Sequence, residues 1–286
     1  MREGFLLAWR FCSGAGQRSG SSWASTSEVV VLMSIYRFDG SGAVPSELEA
    51  ISREAPMVPR VLLVHGQPGS GSLWGHLPRA LGGLGEIYSY DRPGWGQKSG
   101  EAGGLGHNVE YLDAVLQCFG DDPPVLLGYS YGAAVVLDWI AERQPRGVRA
   151  LLVAPAANLL ALGALDRLFE VELVGSVISA LASGTLRHAA RGSLTQKLHH
   201  ARSLLIESMT LLDDLGRVRF ALPDDARVAV LSGLLDRVVP PRAVVALAQG
   251  LQVREISWCA QAGHLIVWTH PGAVAAALGG LLGSRG

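Results

Sequence analysis

The chain has 286 residues, 49% hydrophobic and 17% charged, and its 24 basic and 25 acidic side chains leave a formal net charge of −1. This composition can bury a sizeable core in one large domain, or in a core with an insertion. It provides no basic field for nucleic acid and no acidic tail for a partner segment. Cys12, Cys118 and Cys259 are far apart, odd in number and without metal-ligand spacing, so reduced thiols in a cytoplasmic protein are expected.

At the amino end, Gly4–Phe11 is a short apolar stretch interrupted by Arg10. Ser/Gly-rich sequence follows without a small-x-small cleavage site, a poor match to a secretory signal. Residues 1–27 read as disordered, and Met33 as an alternative translation start. No apolar run reaches the ~20 residues that span a bilayer.

Seven short, mostly apolar runs then predict strands: Val29–Tyr36, Arg60–His65, Glu86–Tyr90, Pro124–Tyr129, Ala150–Ala154, Val228–Ser232 and Val253–Ser257. Amphipathic patterns predict helices near Leu73–Leu84, Val109–Phe119, Tyr131–Arg143, Pro241–Leu251 and Pro271–Leu282. Continuous apolar strands alternating with helices predict an α/β fold with a doubly wound, mostly parallel sheet. Residues 157–222 break the rhythm with Leu/Ala-rich helical stretches, Leu159–Leu181 and Leu194–Leu215, and no strand. That interval is too long for one crossover. It reads as a helical lid inserted into a core made of residues 28–156 and 223–286, against the plainer reading of extra packing helices.

The segment Val125 to Ala134 carries the strongest chemical signal, because an apolar strand runs through Gly128-Tyr129-Ser130-Tyr131-Gly132 into a helix. This is the layout of a nucleophile elbow, with Ser130 on a tight strand-to-helix turn. A serine hydroxyl needs an adjacent base, and the base an orienting acid. His264 in Ala262-Gly263-His264-Leu265 is the candidate base, and the glycine before it is expected to allow a sharp turn. Asp236 in Ser232-Gly233-Leu234-Leu235-Asp236 is the candidate acid. All three follow strands of one parallel sheet, on the edge where open α/β sheets place their sites. Of the rival carboxylates, Asp213 and Asp214 lie in a helical pattern, while Asp224 and Asp225 precede a strand on the opposite edge. The backbone N–H groups of Gln67, after the strand Arg60–His65, and of Tyr131 are the candidate oxyanion donors.

Together, His65-Gly66-Gln67-Pro68-Gly69, Asp91-Arg92-Pro93-Gly94-Trp95-Gly96, Gly128-Tyr129-Ser130-Tyr131-Gly132, the Asp236 loop and Gly263-His264 resemble the α/β-hydrolase superfamily. The similarity is to its serine esterase-like and cofactor-free haloperoxidase-like group, and it covers roughly residues 60–285. The resemblance implies Ser130 as nucleophile, His264 as base, Asp236 as acid, and Gln67 and Tyr131 as backbone donors. It departs at the amino end. Relatives often open with two antiparallel strands, where this chain offers one and then the Pro/Glu-rich stretch 45–59. The Asp91–Gly96 pattern reads as a structural turn.

The remaining histidines read as structural: His65 bonding nearby backbone, His270 entering a helix, His199 and His200 on the surface. Trp74, Trp95 and Trp268 read as core, with pocket lining a second reading for Trp74 and Trp95. The expected activity is cleavage of a carboxylic ester or related acyl bond in a small, mostly apolar molecule. No metal or other cofactor, nucleic-acid partner or membrane span is expected. The same residues are compatible with a thioester, amide, lactone or C–C bond, or with a small-ligand receptor that does not turn over. Oligomeric state is left open.

Overall fold

The computed structural model describes residues 34–38, 46–48, 58–96, 101–161, 194–217, 220–253 and 256–283. The expectations for residues 1–27, for Met33 and for much of the insertion (162–193) fall outside the described residues.

Among the described residues, eight strands form one sheet in the order β2-β1-β4-β3-β5-β6-β7-β8. They are β1 (Ile35–Phe38), β2 (Ser46–Leu48), β3 (Arg60–Val64), β4 (Glu86–Tyr90), β5 (Val125–Tyr129), β6 (Arg149–Val153), β7 (Arg227–Gly233) and β8 (Ile256–Cys259). The six from β3 onward pair in parallel. β1 runs antiparallel to both β2 and β4. Among the described residues the helices are α1 (Leu77–Leu81), α2 (Leu105–Gln117), α3 (Tyr131–Arg143), α4 (Leu194–Arg217), α5 (Pro241–Gly250), α6 (Ile266–Thr269) and α7 (Pro271–Gly283). Among the described residues, no helix is long and apolar enough to cross a membrane.

The apolar runs are continuous because both faces of the sheet are covered. Side chains alternate across the pleat. Leu62 and Val64 of β3 enter a core with α2, α3 and α5, whereas Val61 and Leu63 enter a second core with α1, α6 and α7. The sheet is therefore sandwiched between two helical layers, and β3 and β5 are buried along their whole length.

Several boundaries differ from the sequence expectations. β2 adds an edge strand where the sequence offered none; three residues, Ser46-Glu47-Leu48, are too few to show a period. β8 runs two residues past the expected Val253–Ser257, because Trp258 and Cys259 continue the ladder opposite Ser232 and Gly233 of β7. α1 is shorter than the apolar pattern, confined between Gly75 at φ +57° and the pair Gly82-Gly83. α2 begins four residues before Val109, after Gly104, a cap with no side chain. Its missing cap is supplied from α4: Asp214 Oδ2 accepts the Leu105 N–H at 2.9 Å.

Candidate active site

Ser130 stands alone between the last residue of β5 and the first of α3. Its backbone, at φ 53° and ψ −118°, lies outside the regions a serine normally adopts. Such strain costs on the order of 1–3 kcal/mol and persists only where its surroundings enforce it. Here the Ser130 N–H donates to Val153 O of β6 at 2.9 Å, while Ser130 O accepts from the N–H groups of Ala133 and Ala156 at 3.0 and 3.2 Å. The flanking glycines are required by space. A Cβ on Gly132 would sit 2.2 Å from Val64 O, and one on Gly128 2.7 Å from Ala133 Cα.

His264 follows β8, and Asp236 follows β7. Ser130 Oγ lies 3.0 Å from His264 Nε2, and His264 Nδ1 lies 2.9 Å from Asp236 Oδ2. The other carboxylate oxygen, Asp236 Oδ1, accepts the N–H groups of Val238 and Val239, each at 2.8 Å. Asp236 is 3% exposed and Ser130 5%. Asp236 thus presents both carboxylate oxygens as acceptors. It then accepts the His264 Nδ1–H, which leaves Nε2 facing the hydroxyl with a lone pair.

The two loops are laced together. Leu234 N–H donates to Cys259 O and Leu235 N–H to Ala262 O, both at 3.0 Å. Gly233 permits that approach, since a Cβ there would meet Ala262 O at 2.1 Å. Gly263, by contrast, has room: its Cβ would approach nothing closer than Leu235 O at 3.5 Å. The glycine that the turn requires thus precedes the acid, not the histidine. From β5, Tyr129 Oη donates to His264 O at 3.1 Å and fixes the same loop from below.

Tyr131 opens α3, so its N–H has no partner within the helix. Gln67 follows β3 directly across from the elbow, with Gly66 packed against Ser130. Among the described residues, neither N–H is engaged by another backbone group. The His65 Nδ1–H donates to Gly66 O at 2.8 Å, and Nε2 accepts the Arg92 N–H at 3.1 Å, so both ring nitrogens are used. Burial first, and the Arg92 cation second, push the His65 pKa well below its ordinary value.

Arg92, expected only as part of a structural turn, reaches well beyond it. Its guanidinium is fully buried and ion-paired with Glu207 of α4, which is also fully buried. It packs 4.7 Å over the Tyr131 ring. Nothing in the local sequence marks Glu207 as its partner, 115 residues away.

Other expectations shift. His200 is half-buried rather than on the surface: its ring sits tilted against Trp95, 5.6 Å between centroids, and its Nε2 lies 3.3 Å from Gly96 O. His199 is half-buried beside it. Trp74 is a core residue, hydrogen-bonded through Nε1 to Ser89 Oγ at 2.9 Å. Trp95 is also buried, edge-on to His65. Both are 1% exposed, which fits core packing rather than a pocket wall. Of the rival carboxylates, Asp214 caps α2 and Asp225 Oδ2 accepts the exposed Gly147 N–H. Asp213 and Asp224 are exposed. Among the described residues, no group of three or more His, Cys, Asp or Glu side chains is arranged to hold a metal ion.

Residues 61–277 match the model of the Alpha/beta hydrolase family. A haloalkane dehalogenase from Agrobacterium fabrum is 36% identical over 93 residues, 32% of this chain and 30% of that protein. The lipase LipV from Mycobacterium tuberculosis is 31% identical over 114 residues, 38% of this chain and 42% of that one. Each alignment thus spans less than half of the relative. An alpha/beta hydrolase fold protein from Burkholderia ambifaria superposes with a TM-score of 0.61 at 22% identity, over 77% of this chain and 90% of that one. The 2-hydroxy-6-oxo-6-phenylhexa-2,4-dienoate hydrolase of Rhodococcus sp. strain RHA1 also gives 0.61, at 21% identity, over 89% and 100%. At these identities the structural likeness concerns the fold.

Proposed function

Because the chain belongs to the alpha/beta hydrolase family, we propose that it cleaves a carboxylic ester or related acyl bond through a covalent intermediate on Ser130. The observation that carries this reading is the hydrogen-bonded chain from Ser130 Oγ through His264 to Asp236. His264 Nε2 takes the hydroxyl proton as Oγ attacks the carbonyl carbon. The negative charge that develops on the carbonyl oxygen is met by the N–H groups of Gln67 and Tyr131; each such donor is worth about 3–4 kcal/mol of barrier. The imidazolium, stabilised by Asp236, gives its proton to the departing alkoxide and leaves an acyl-serine. Water, deprotonated by the same nitrogen, then releases the acid and restores the hydroxyl.

Haloalkane or epoxide opening fits poorly. A serine that displaced a halide would become an ether, which water does not cleave, whereas a carboxylate nucleophile would give a hydrolysable ester. The substrate is proposed to be small and mostly apolar, with residues 157–222 acting as its lid. Leu235 and Leu265, the chain neighbours of Asp236 and His264, are exposed and support an apolar approach to the site. Free Cys118 and Cys259 support a reducing, cytoplasmic setting.

The test pairs a fluorophosphonate probe with p-nitrophenyl esters of graded acyl length. Wild type should label and turn over the shorter esters, and Ser130→Ala should do neither. Undiminished labelling of Ser130→Ala would reject the nucleophile. Tight ester binding without turnover by wild type would favour a receptor.

A further inference from the structure

The Arg92 guanidinium has five N–H donors, and all five are used. Nε donates to His65 O at 2.9 Å; Nη1 donates to Asn108 Oδ1 at 2.9 Å and to Glu207 Oε1; Nη2 donates to Gly66 O at 3.0 Å and to Glu207 Oε2 at 3.2 Å. The fork therefore grips two successive carbonyls of the loop after β3 on one side and a carboxylate of α4 on the other. Gly66 O accepts a second hydrogen bond, from His65 Nδ1.

The geometry of one peptide unit gives this grip its consequence. Gly66 C=O and Gln67 N–H belong to the same planar group and, in a trans peptide, point in opposite directions. Pulling Gly66 O toward Arg92 therefore turns the Gln67 N–H away from Arg92. Two hydrogen bonds on the carbonyl also polarise the amide and strengthen its donor. Arg92 in turn could not hold this place alone: as a fully buried cation it needs the equally buried Glu207 carboxylate.

We infer that Arg92 is a positioning residue that fixes the Gln67 N–H as an oxyanion donor, and that Glu207 thereby makes α4 part of the oxyanion site. This rests on the acyl-transfer reading for its kinetic consequence, though not for its structural one.

Removing one partner would strand a buried charge and could unfold the chain, so the informative variant replaces both. In Arg92→Met/Glu207→Leu the ion pair gives way to apolar side chains of similar volume, an exchange that buried pairs often tolerate. Thermal unfolding checks that it folds. The first readout is the order parameter of the Gln67 amide by 15N relaxation. It should fall from about 0.85, typical of rigid backbone, to below about 0.6. The second is kinetics on a p-nitrophenyl ester. Here kcat should drop about 10- to 100-fold, with KM changed by less than about threefold, because the lost interaction acts on the transition state. Arg92→Lys with Glu207 retained should keep the ion pair and fold but lose most of kcat, since one ammonium cannot span both carbonyls and the carboxylate.

A folded double variant with an equally ordered Gln67 amide would overturn the inference. So would one with wild-type kcat beside an ester-active wild type. If wild type proves inert to esters and fluorophosphonate while the Gln67 amide still loosens, the positioning stands and the acyl-transfer reading falls.

Discussion

At position 236 an amide would change the chemistry while sparing the loop. Asparagine's Oδ1 can still accept from Val238 and Val239, whose bonds to Asp236 Oδ1 hold the turn. Its NH2 group would then face His264 Nδ1 and force the ring proton onto Nε2, where it blocks proton uptake from Ser130. Asp236→Asn should thus lower kcat by about four orders of magnitude with little change in Tm. A near-normal rate would hand the role to another carboxylate. Gly132→Ala tests a different physical limit. Its Cβ would land 2.2 Å from a strand carbonyl that cannot yield without breaking the β3–β5 ladder. A loss of about 1–3 kcal/mol in urea unfolding is expected, together with slower turnover as the elbow shifts.

Elements were readable where the apolar run stopped at a clear break. β4 and α3 occupy the spans their sequences predict, because β4 ends at Asp91-Arg92-Pro93 and α3 begins directly at the elbow. The loops bearing Ser130, His264 and Asp236 could likewise be anticipated, since each is a short segment after an apolar strand. What sequence hid was whatever depends on a distant partner. α2 looked shorter because Gly103, Gly104 and Gly106 obscure its first turn, and its cap comes from Asp214 of another helix. Glu207 looked like any helical glutamate until it met Arg92. The Asp214 cap makes a prediction at this scale. Asp214→Ala should cost about 0.5–2 kcal/mol of stability, seen as a lower Tm, and should leave the hydrogen bonds among Ser130, His264 and Asp236 in place.

For the molecule as a whole, acid is the revealing stress. His65 is neutral and buried in the fold, its pKa held well below the ordinary value of 6.5. Its proton can be taken up near pH 6.5 only after unfolding, so the unfolded chain binds more protons below that point and stability falls as pH drops. His65→Gln, which does not titrate, should lose less unfolding free energy than wild type between pH 7.5 and 5.5, whatever its stability at neutrality. Equal losses of unfolding free energy in the two proteins, measured by urea unfolding at both pH values, would assign the acid sensitivity elsewhere.

The paired bonds from Leu234 to Cys259 and from Leu235 to Ala262 carry a practical lesson. They weld two separate turns into a single platform, which keeps Asp236 and His264 within hydrogen-bond reach of each other. Substitutions aimed at a new specificity should therefore leave the stretch from Gly233 to His264 untouched and, within residues 157–222, spare Glu207, Asp214, Ser203 and the core residues Ala157, Ala161, Leu211 and Leu215.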